Sequence, residues 1–374
     1  MLIYLGFSAV TVFLATLLLL YLGTPSFLAA AHLVFAVGIL PLIFGAIAHF
    51  VPVLTRGGRA HRLVLLAPLL IQSAGLLAFL HFYGVVGIGA LHAAAGSALL
   101  MAIGFAGWLR FRALHTLGKP HPGWRWYLAA IIFLALSLLL VPFMAVWPGA
   151  YHELRLIHLH LNTLGFIGLT AIGTLQVLLP TVLSGPDAEA AARLRSDLPF
   201  AAAGVLAVAL GSALWLPLAL LGAFALLGVG VRPGLSWLRR YGLRKMFSDG
   251  AAVALAAALS GFLLLILLGL GHAFHLVDAQ HAVPAFIVAF LLPLVSGALS
   301  QLLPVWRYPG PQSSAREGMR IALVRGGGVR SVVFVAGGML LATSNTEGIW
   351  LAAAGILSFL FGIVRSFFTK CSTE

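Results

Sequence analysis

The sequence contains 13 histidines, the residue type that most often binds transition metals or carries protons near neutral pH. Nine of them fall at or near alternate ends of long apolar segments, where the only carboxylates are Glu153, Asp278 and Glu347. The nine are His32, His81, His92, His152, His158, His160, His272, His275 and His281. Neutral imidazoles with few acidic neighbours suit copper, iron or zinc better than calcium or magnesium, which prefer oxygen ligands. The set therefore predicts a transition-metal or haem site.

Long apolar segments must position these histidines. Of 374 residues, 61% are hydrophobic and 8% are charged, whereas soluble domains carry about 25% charged residues. This composition excludes a water-soluble globular protein. Because spans of roughly 20 apolar residues recur throughout, we expect an all-α, polytopic membrane protein. It should form one transmembrane domain over residues 1–374. We expect twelve helices near 3–22, 27–54, 63–82, 85–109, 126–147, 155–183, 198–214, 217–231, 251–270, 281–305, 321–343 and 348–368.

The basic residues predict the orientation of the chain. Every second loop is basic, and Arg155 is the only one of 22 basic residues on the opposite side. We therefore expect a multi-pass protein of the inner (cytoplasmic) membrane with both termini in the cytoplasm, and we interpret the first segment as a retained span. The net charge of +13 is explained by basic residues that lie in the loops of one side of the membrane. The expected partner is therefore the lipid bilayer, and nucleic acid is not needed to explain the charge. The single cysteine, Cys371, excludes an intrachain disulfide framework.

Three segments share a pattern that predicts an internal repeat. In each, a glycine (Gly45, Gly173 or Gly297) precedes a proline by seven residues, and the prolines are separated by four spans. The segments read HLVFAVGILPLIFGAIAHFVP from His32, HLNTLGFIGLTAIGTLQVLLP from His160 and PAFIVAFLLPLVSGALSQLLP from Pro284. The pattern predicts three pseudo-threefold four-helix units, approximately 1–124, 125–249 and 250–374, with the marked segment as the second helix of each.

The repeat indicates which of the histidines should lie together in one site. His32 and His160 occupy the same outer turn of the second and sixth spans, and His281 lies near that turn of the tenth, so these three are expected to converge. His158 and His160 are two residues apart, about 200° around a helix, so both cannot face one site and His160 is preferred. His81 and His92 flank a short turn and form a candidate pair. The further metal-ligand candidates are His158, His92, His275 and His272.

The twelve-helix pattern and the stretch HLHLNTLGFIGLTAIGTLQVLLP (158–180) resemble divergent members of the superfamily of heme-copper oxidase and nitric oxide reductase catalytic subunits. The chain is also similar to the NnrS proteins of nitrosative stress. The resemblance implies that His32 and His281 bind haem b as a cofactor and that His160 lies on the copper-binding helix. It further implies an oxidoreductase role and a periplasmic electron or copper donor as partner.

The chain departs from that superfamily in several places. The seventh span, LPFAAAGVLAVALGSALW, lacks the superfamily's copper-binding histidine pair, and Val283 stands where a second histidine of the tenth helix is expected. No tyrosine follows on the sixth span, and no glutamate serves nitric oxide reduction. We therefore do not expect a complete oxygen-reducing binuclear centre or full terminal oxidase activity.

The sequence favours a membrane metalloprotein that binds heme b, copper or both through histidines near the outer face. Its role would be electron transfer, nitric oxide handling or copper handling; zinc is also compatible with the donors, and so is an oligomer. Two alternatives stay open. The first is a membrane transporter or channel, and the second is a non-catalytic assembly subunit whose histidines are only interfacial.

Overall fold

A computed structural model describes residues 1–23 and 26–368, which are helical and contain no strand. Twelve helical spans are long and apolar enough to cross a membrane, which confirms the number expected from the sequence. The spans are Leu2–Tyr21, Phe27–Leu54, Arg62–Phe82, Ile88–Leu114, Gly123–Val146, Pro148–Ser184, Ala190–Leu214, Leu216–Met246, Gly250–Ala273, His281–Arg307, Ser314–Ala342 and Gly348–Phe367. Cys371 lies outside the described residues.

The chain divides into two compact units. Unit 1 comprises residues 1–174 and 188–229, and unit 2 comprises residues 175–187 and 230–374. Large side chains fill the core of each unit. Trp126, Phe44 and Phe166 are fully buried in unit 1, and Trp237, Phe262, Phe290 and Phe334 are fully buried in unit 2.

The seventh and eighth spans differ from their predicted bounds. We expected two short helices over 198–214 and 217–231, but the helices cover Ala190–Leu214 and Leu216–Met246. The tight hairpin between them is confirmed, because Trp215 alone separates the two helices. The prediction was wrong in length because hydropathy marks only the apolar part of a helix, whereas these helices continue through their basic ends.

The eleventh span differs from the single segment expected over 321–343, because it starts earlier and is divided into two helices. A helix over Ser314–Val324 is followed by a turn at Gly326, where φ is +71°, and by a second helix over Gly327–Ala342. The Arg330 guanidinium is buried, donates hydrogen bonds to the carbonyl oxygens of Leu323 (2.7 Å) and Arg325 (2.8 Å), and lies 5.2 Å from the centre of the Phe359 ring. It therefore caps the first helix.

The second, sixth and tenth spans each contain a π-helical segment in their first half. The segments are Leu33–Ile39, Leu161–Gly168 and Phe286–Leu291. Each ends 12 or 13 residues before the proline that closes the sequence pattern, so all three occupy nearly the same register. π-Helical turns are rare and occur often at functional sites.

Gly45, Gly173 and Gly297, the glycines of the sequence pattern, each lie close to the span that precedes their own helix. A Cβ atom at Gly45 would lie 2.6 Å from Leu5 Cδ1 of the first span, and one at Gly173 would lie 2.8 Å from Trp126 Cβ of the fifth span. In unit 2, a Cβ atom at Gly297 would lie 3.0 Å from Ala254 Cβ of the ninth span. Each glycine therefore permits a helix approach that a side chain would block.

Candidate functional site

His32 is held at a junction within the second span. It ends the α-helix Phe27–His32, and the π-helical segment begins at Leu33. Its Nδ1 lies 2.8 Å from the carbonyl oxygen of Leu28, and its ring stacks on Phe82 with centroids 4.3 Å apart. Because a carbonyl oxygen only accepts hydrogen bonds, Nδ1 carries the proton and Nε2 keeps its lone pair.

Two further histidines accompany His32 in unit 1. His81 contacts the edge of the Phe82 ring, with centroids 5.1 Å apart, and its Nδ1 lies 3.1 Å from the carbonyl oxygen of Val86. His81 and His158 are both close enough to His32 to interact with it electrostatically. We call His32, His81 and His158 the outer histidine cluster, after the side on which the charge pattern places it.

His158 is fixed by a polar network that joins the sixth and fifth spans. Its Nδ1 lies 2.9 Å from the carbonyl oxygen of Ser137, which is completely buried. Asn162 Nδ2 donates to Ser137 Oγ (2.7 Å) and to the carbonyl oxygen of His158 (2.8 Å). Hydrogen bonds of this kind orient imidazole ligands around metals and select the tautomer in which Nε2 is free to coordinate.

His160 faces a different neighbour. Its Nδ1 lies 2.9 Å from the carbonyl oxygen of Leu156 and 3.2 Å from Ser212 Oγ of the seventh span. His158 and His160 thus contact different helices, as their spacing predicts. The repeat favoured His160 as the partner of His32, whereas His158 is the histidine of the sixth span whose charge would influence His32.

The other predicted ligands are dispersed over both units. In unit 1, His92 Nε2 is buried and has no hydrogen-bond partner among the described residues. In unit 2, His272 Nδ1 lies 3.0 Å from the carbonyl oxygen of Val277, and His275 is exposed with φ of +57°. His281 begins the tenth span, where its amide donates to the carbonyl oxygen of Asp278 at 3.2 Å. The pairing of His32 with His281 stays a prediction.

Residues 1–23 and 26–368 contain no group of three or more His, Cys, Asp or Glu side chains arranged to hold a metal ion. The outer histidine cluster offers imidazole nitrogens, and a pair of imidazoles can occupy the two axial positions of a haem iron or bind a copper ion. Imidazole nitrogen is therefore a donor type that haem iron and copper both accept.

Sequence analysis missed the residues that orient the cluster: Phe82, Ser137 and Asn162. Asn162 follows His158 by four residues and therefore lies on the same helix face, which is a signal that the sequence does contain. The positions of Phe82 and Ser137 depend on how the third and fifth spans pack, and no local pattern reveals them.

No family model matches the chain, and no curated protein matches it. The assignment of a function therefore depends on the geometry of its own residues.

Proposed function

We propose that the chain is an integral membrane metalloprotein that binds haem b or copper through the outer histidine cluster. The single observation that carries the proposal is the arrangement of His32 and His158. Both are half-buried, both have Nδ1 held by a backbone carbonyl oxygen, and they lie within electrostatic range of each other. This combination leaves Nε2 of each ring available as a ligand.

A bound haem or copper ion would supply one-electron chemistry. His32 and His158 would provide nitrogen ligands, and the backbone carbonyl oxygens that hold each Nδ1 would keep both rings in one tautomer. Phe82 packs against His32 and His81 and limits the access of water from that side. The proposed role is electron transfer, nitric oxide handling or copper handling, without oxygen reduction by a complete binuclear centre.

Titrations of the purified chain test the assignment. Haem b, copper(I) and zinc are added separately to the protein and to His32→Ala, His158→Ala and His61→Ala variants. His61 is the control because it is exposed and accepts a hydrogen bond from the Leu63 amide. We expect haem b or copper(I) to bind the parent and the control alike, and both cluster variants to lose it. Equal binding by all four proteins contradicts the proposal.

The proposal includes the three-unit repeat, which two structural features support. The π-helical segments occur at matching positions in the second, sixth and tenth spans, and each patterned glycine contacts the span before it. His32 and His160 also have the same local geometry, because each Nδ1 binds the carbonyl oxygen four residues earlier and each residue precedes a π-helical segment. Four-helix segments that were not repeats of one another would have no structural reason to share these positions and hydrogen bonds.

We further propose the inner membrane as the location, with both termini in the cytoplasm. Thiol labelling of whole cells tests this orientation in a Cys371→Ser background. Ser248→Cys and Asn345→Cys introduce single thiols at exposed positions in loops predicted to lie on opposite sides. A membrane-impermeant reagent should label only the second in intact cells and both after permeabilisation. The reverse pattern would refute the orientation.

A further inference from the structure

We propose that Gln72 is a positioning residue that sets the orientation of the His32 ring through the π-helical segment Leu33–Ile39. Gln72 is a half-buried polar residue in the middle of the third span, Arg62–Phe82. The inference rests on the proposed function, because His32 is one of the proposed ligands. It adds a residue that acts on His32 from a distance, through the backbone that carries the histidine.

A proline removes one backbone donor at the end of this π-helical segment. The amide of Leu40 donates to the carbonyl oxygen of Phe35, which is five residues earlier instead of the four of an α-helix. The next residue is Pro41, which has no N–H to offer to the carbonyl oxygen of Val37 four residues before it. Gln72 Nε2 donates a 3.1 Å hydrogen bond to that oxygen. A side chain of the third span therefore supplies a donor that Pro41 cannot provide.

The side-chain amide of Gln72 is held in one orientation. Its Nε2 also donates to Ser8 Oγ of the first span at 2.7 Å, and its Oε1 accepts a 3.2 Å hydrogen bond from the Tyr4 hydroxyl. Because the carbonyl oxygen of Val37 only accepts hydrogen bonds, the amide nitrogen must face it. Gln72 thus joins the first three spans at the level of the π-helical segment.

One face of the third span follows the π-helical segment from Gln72 to the His32 ring. The residues of this face are spaced by three or four positions and are Gln72, Gly75, Phe79 and Phe82. A Cβ atom at Gly75 would lie 2.5 Å from the carbonyl carbon of Ala36. Phe79 packs against the cluster that buried side chains of the segment form with the first span, and Phe82 stacks on His32. Because each residue turns a helix by about 100°, a return to four-residue hydrogen bonds would turn His32 away from Phe82.

The tenth span contains the same arrangement in unit 2. Pro293 follows the π-helical segment Phe286–Leu291 by two residues, as Pro41 does in the second span, and the carbonyl group four residues before it belongs to Ala289. A Cβ atom at Gly261 of the ninth span would lie 2.6 Å from the carbonyl carbon of Ala289. This carbonyl position is therefore a contact between spans in each unit, and in unit 1 the contact is a hydrogen bond from a side chain.

The test measures the reactivity of His32 in the full chain without a cofactor. The protein is expressed without added haem precursor or copper, treated with chelator in mild detergent, and exposed to diethyl pyrocarbonate, and each histidine is followed by mass spectrometry. Gln72→Met keeps the length of the side chain but removes the amide donor. Ser8→Ala is the matched control, because it removes another partner of Gln72 and keeps the hydrogen bond to Val37. The exposed His61 is the internal reference.

We expect His32 to react about 2- to 10-fold faster in Gln72→Met. The loss of one hydrogen bond raises the population in which the ring has left Phe82 by about that factor. His61 should keep the rate of the parent in both variants, and Ser8→Ala should leave the rate of His32 within about twofold of the parent. An unchanged or slower reaction of His32 in a folded Gln72→Met variant overturns the proposal, as does an equal increase in Ser8→Ala.

Titration of the same proteins with haem b and copper(I) separates this inference from the proposed function. If the parent binds one of them, Gln72→Met should bind it about tenfold more weakly and change the visible absorption spectrum at saturation. Reduced stability alone does not change that spectrum, so a parental affinity and spectrum in Gln72→Met overturn the positioning role. If the parent binds neither group, the proposed function fails, and the reaction rate of His32 still decides whether Gln72 orients the ring.

Discussion

Asn162 gives the sharpest test of how the outer histidine cluster is organised. Its side-chain amide makes hydrogen bonds of 2.7 Å to Ser137 Oγ and 2.8 Å to the carbonyl oxygen of His158. An Asn162→Leu change keeps a side chain of similar size but removes both donors. Each lost hydrogen bond costs about 0.5 to 1.5 kcal/mol in soluble proteins, and bonds between membrane helices average about 0.6 kcal/mol. We therefore expect a loss of stability of roughly 1 to 2 kcal/mol.

The loss of cofactor affinity should be larger than this change in stability suggests. The Ser137 carbonyl oxygen holds His158 Nδ1, so loosening Ser137 also loosens the ring that is proposed as a ligand. Removing such a supporting residue typically weakens metal binding by about 10- to 100-fold. The assay is titration of whichever group the parent binds, with stability measured in parallel by unfolding in sodium dodecyl sulfate.

Ser212→Ala is the matched control for Asn162→Leu. It removes the 3.2 Å contact with His160 but leaves the His158 network intact. We expect cofactor affinity within about twofold of the parent, since deletion of an exposed or weak contact typically costs less than about 0.5 kcal/mol. If Ser212→Ala weakens binding and Asn162→Leu does not, His160 is the ligand and the reasoning from His158 is refuted.

Two further predictions concern packing and pH. Gly173→Ala places a Cβ atom 2.8 Å from Trp126 Cβ, so it should destabilise the chain by about 1 to 3 kcal/mol in the same unfolding assay. The Gly96→Ala control, where nothing lies within 4 Å, should not destabilise it, and equal behaviour of the two variants would contradict the packing argument. His121 lies between the fourth and fifth spans, where burial, aided by the charge of Arg195, lowers the pKa of its imidazole. Below a pH of about 6.5 the unfolded chain then binds the proton more readily, so stability should fall as the pH drops. Melting temperatures between pH 7.5 and 5.5 should show a smaller loss for His121→Gln than for the parent, and an identical loss would contradict this attribution.

The sequence was sufficient to predict the class of fold, the number of spans and most of their bounds. Hydropathy failed where a helix continues beyond its apolar part, as in Leu216–Met246. Its regular part, residues 216–241, is about 39 Å long at 1.5 Å per residue and ends before Gly242, where φ is +71°, whereas a bilayer core is about 30 Å thick. Its basic end was interpreted as a loop because charge indicates exposure to water and not the absence of a helix.

The candidate site was only partly predictable. Topology and composition grouped the histidines on one side, and helical periodicity separated His158 from His160. The choice between these two depends on which neighbouring span each ring faces, which is a property of packing. The π-helical segments are likewise not visible in the sequence. One of them is supported from outside its own helix, since Gln72 Nε2 donates to the carbonyl oxygen of Val37 at 3.1 Å.

The haem and metal content of the chain, purified in mild detergent from cells supplied with haem precursor and copper, tests the central claim most directly. Visible absorption and elemental analysis are measured on the same sample. We predict near-stoichiometric bound haem with a Soret band, or near-stoichiometric copper, either of which is absent from a folded His158→Ala variant. A folded parent protein that is colourless and free of copper after this supply would contradict the account.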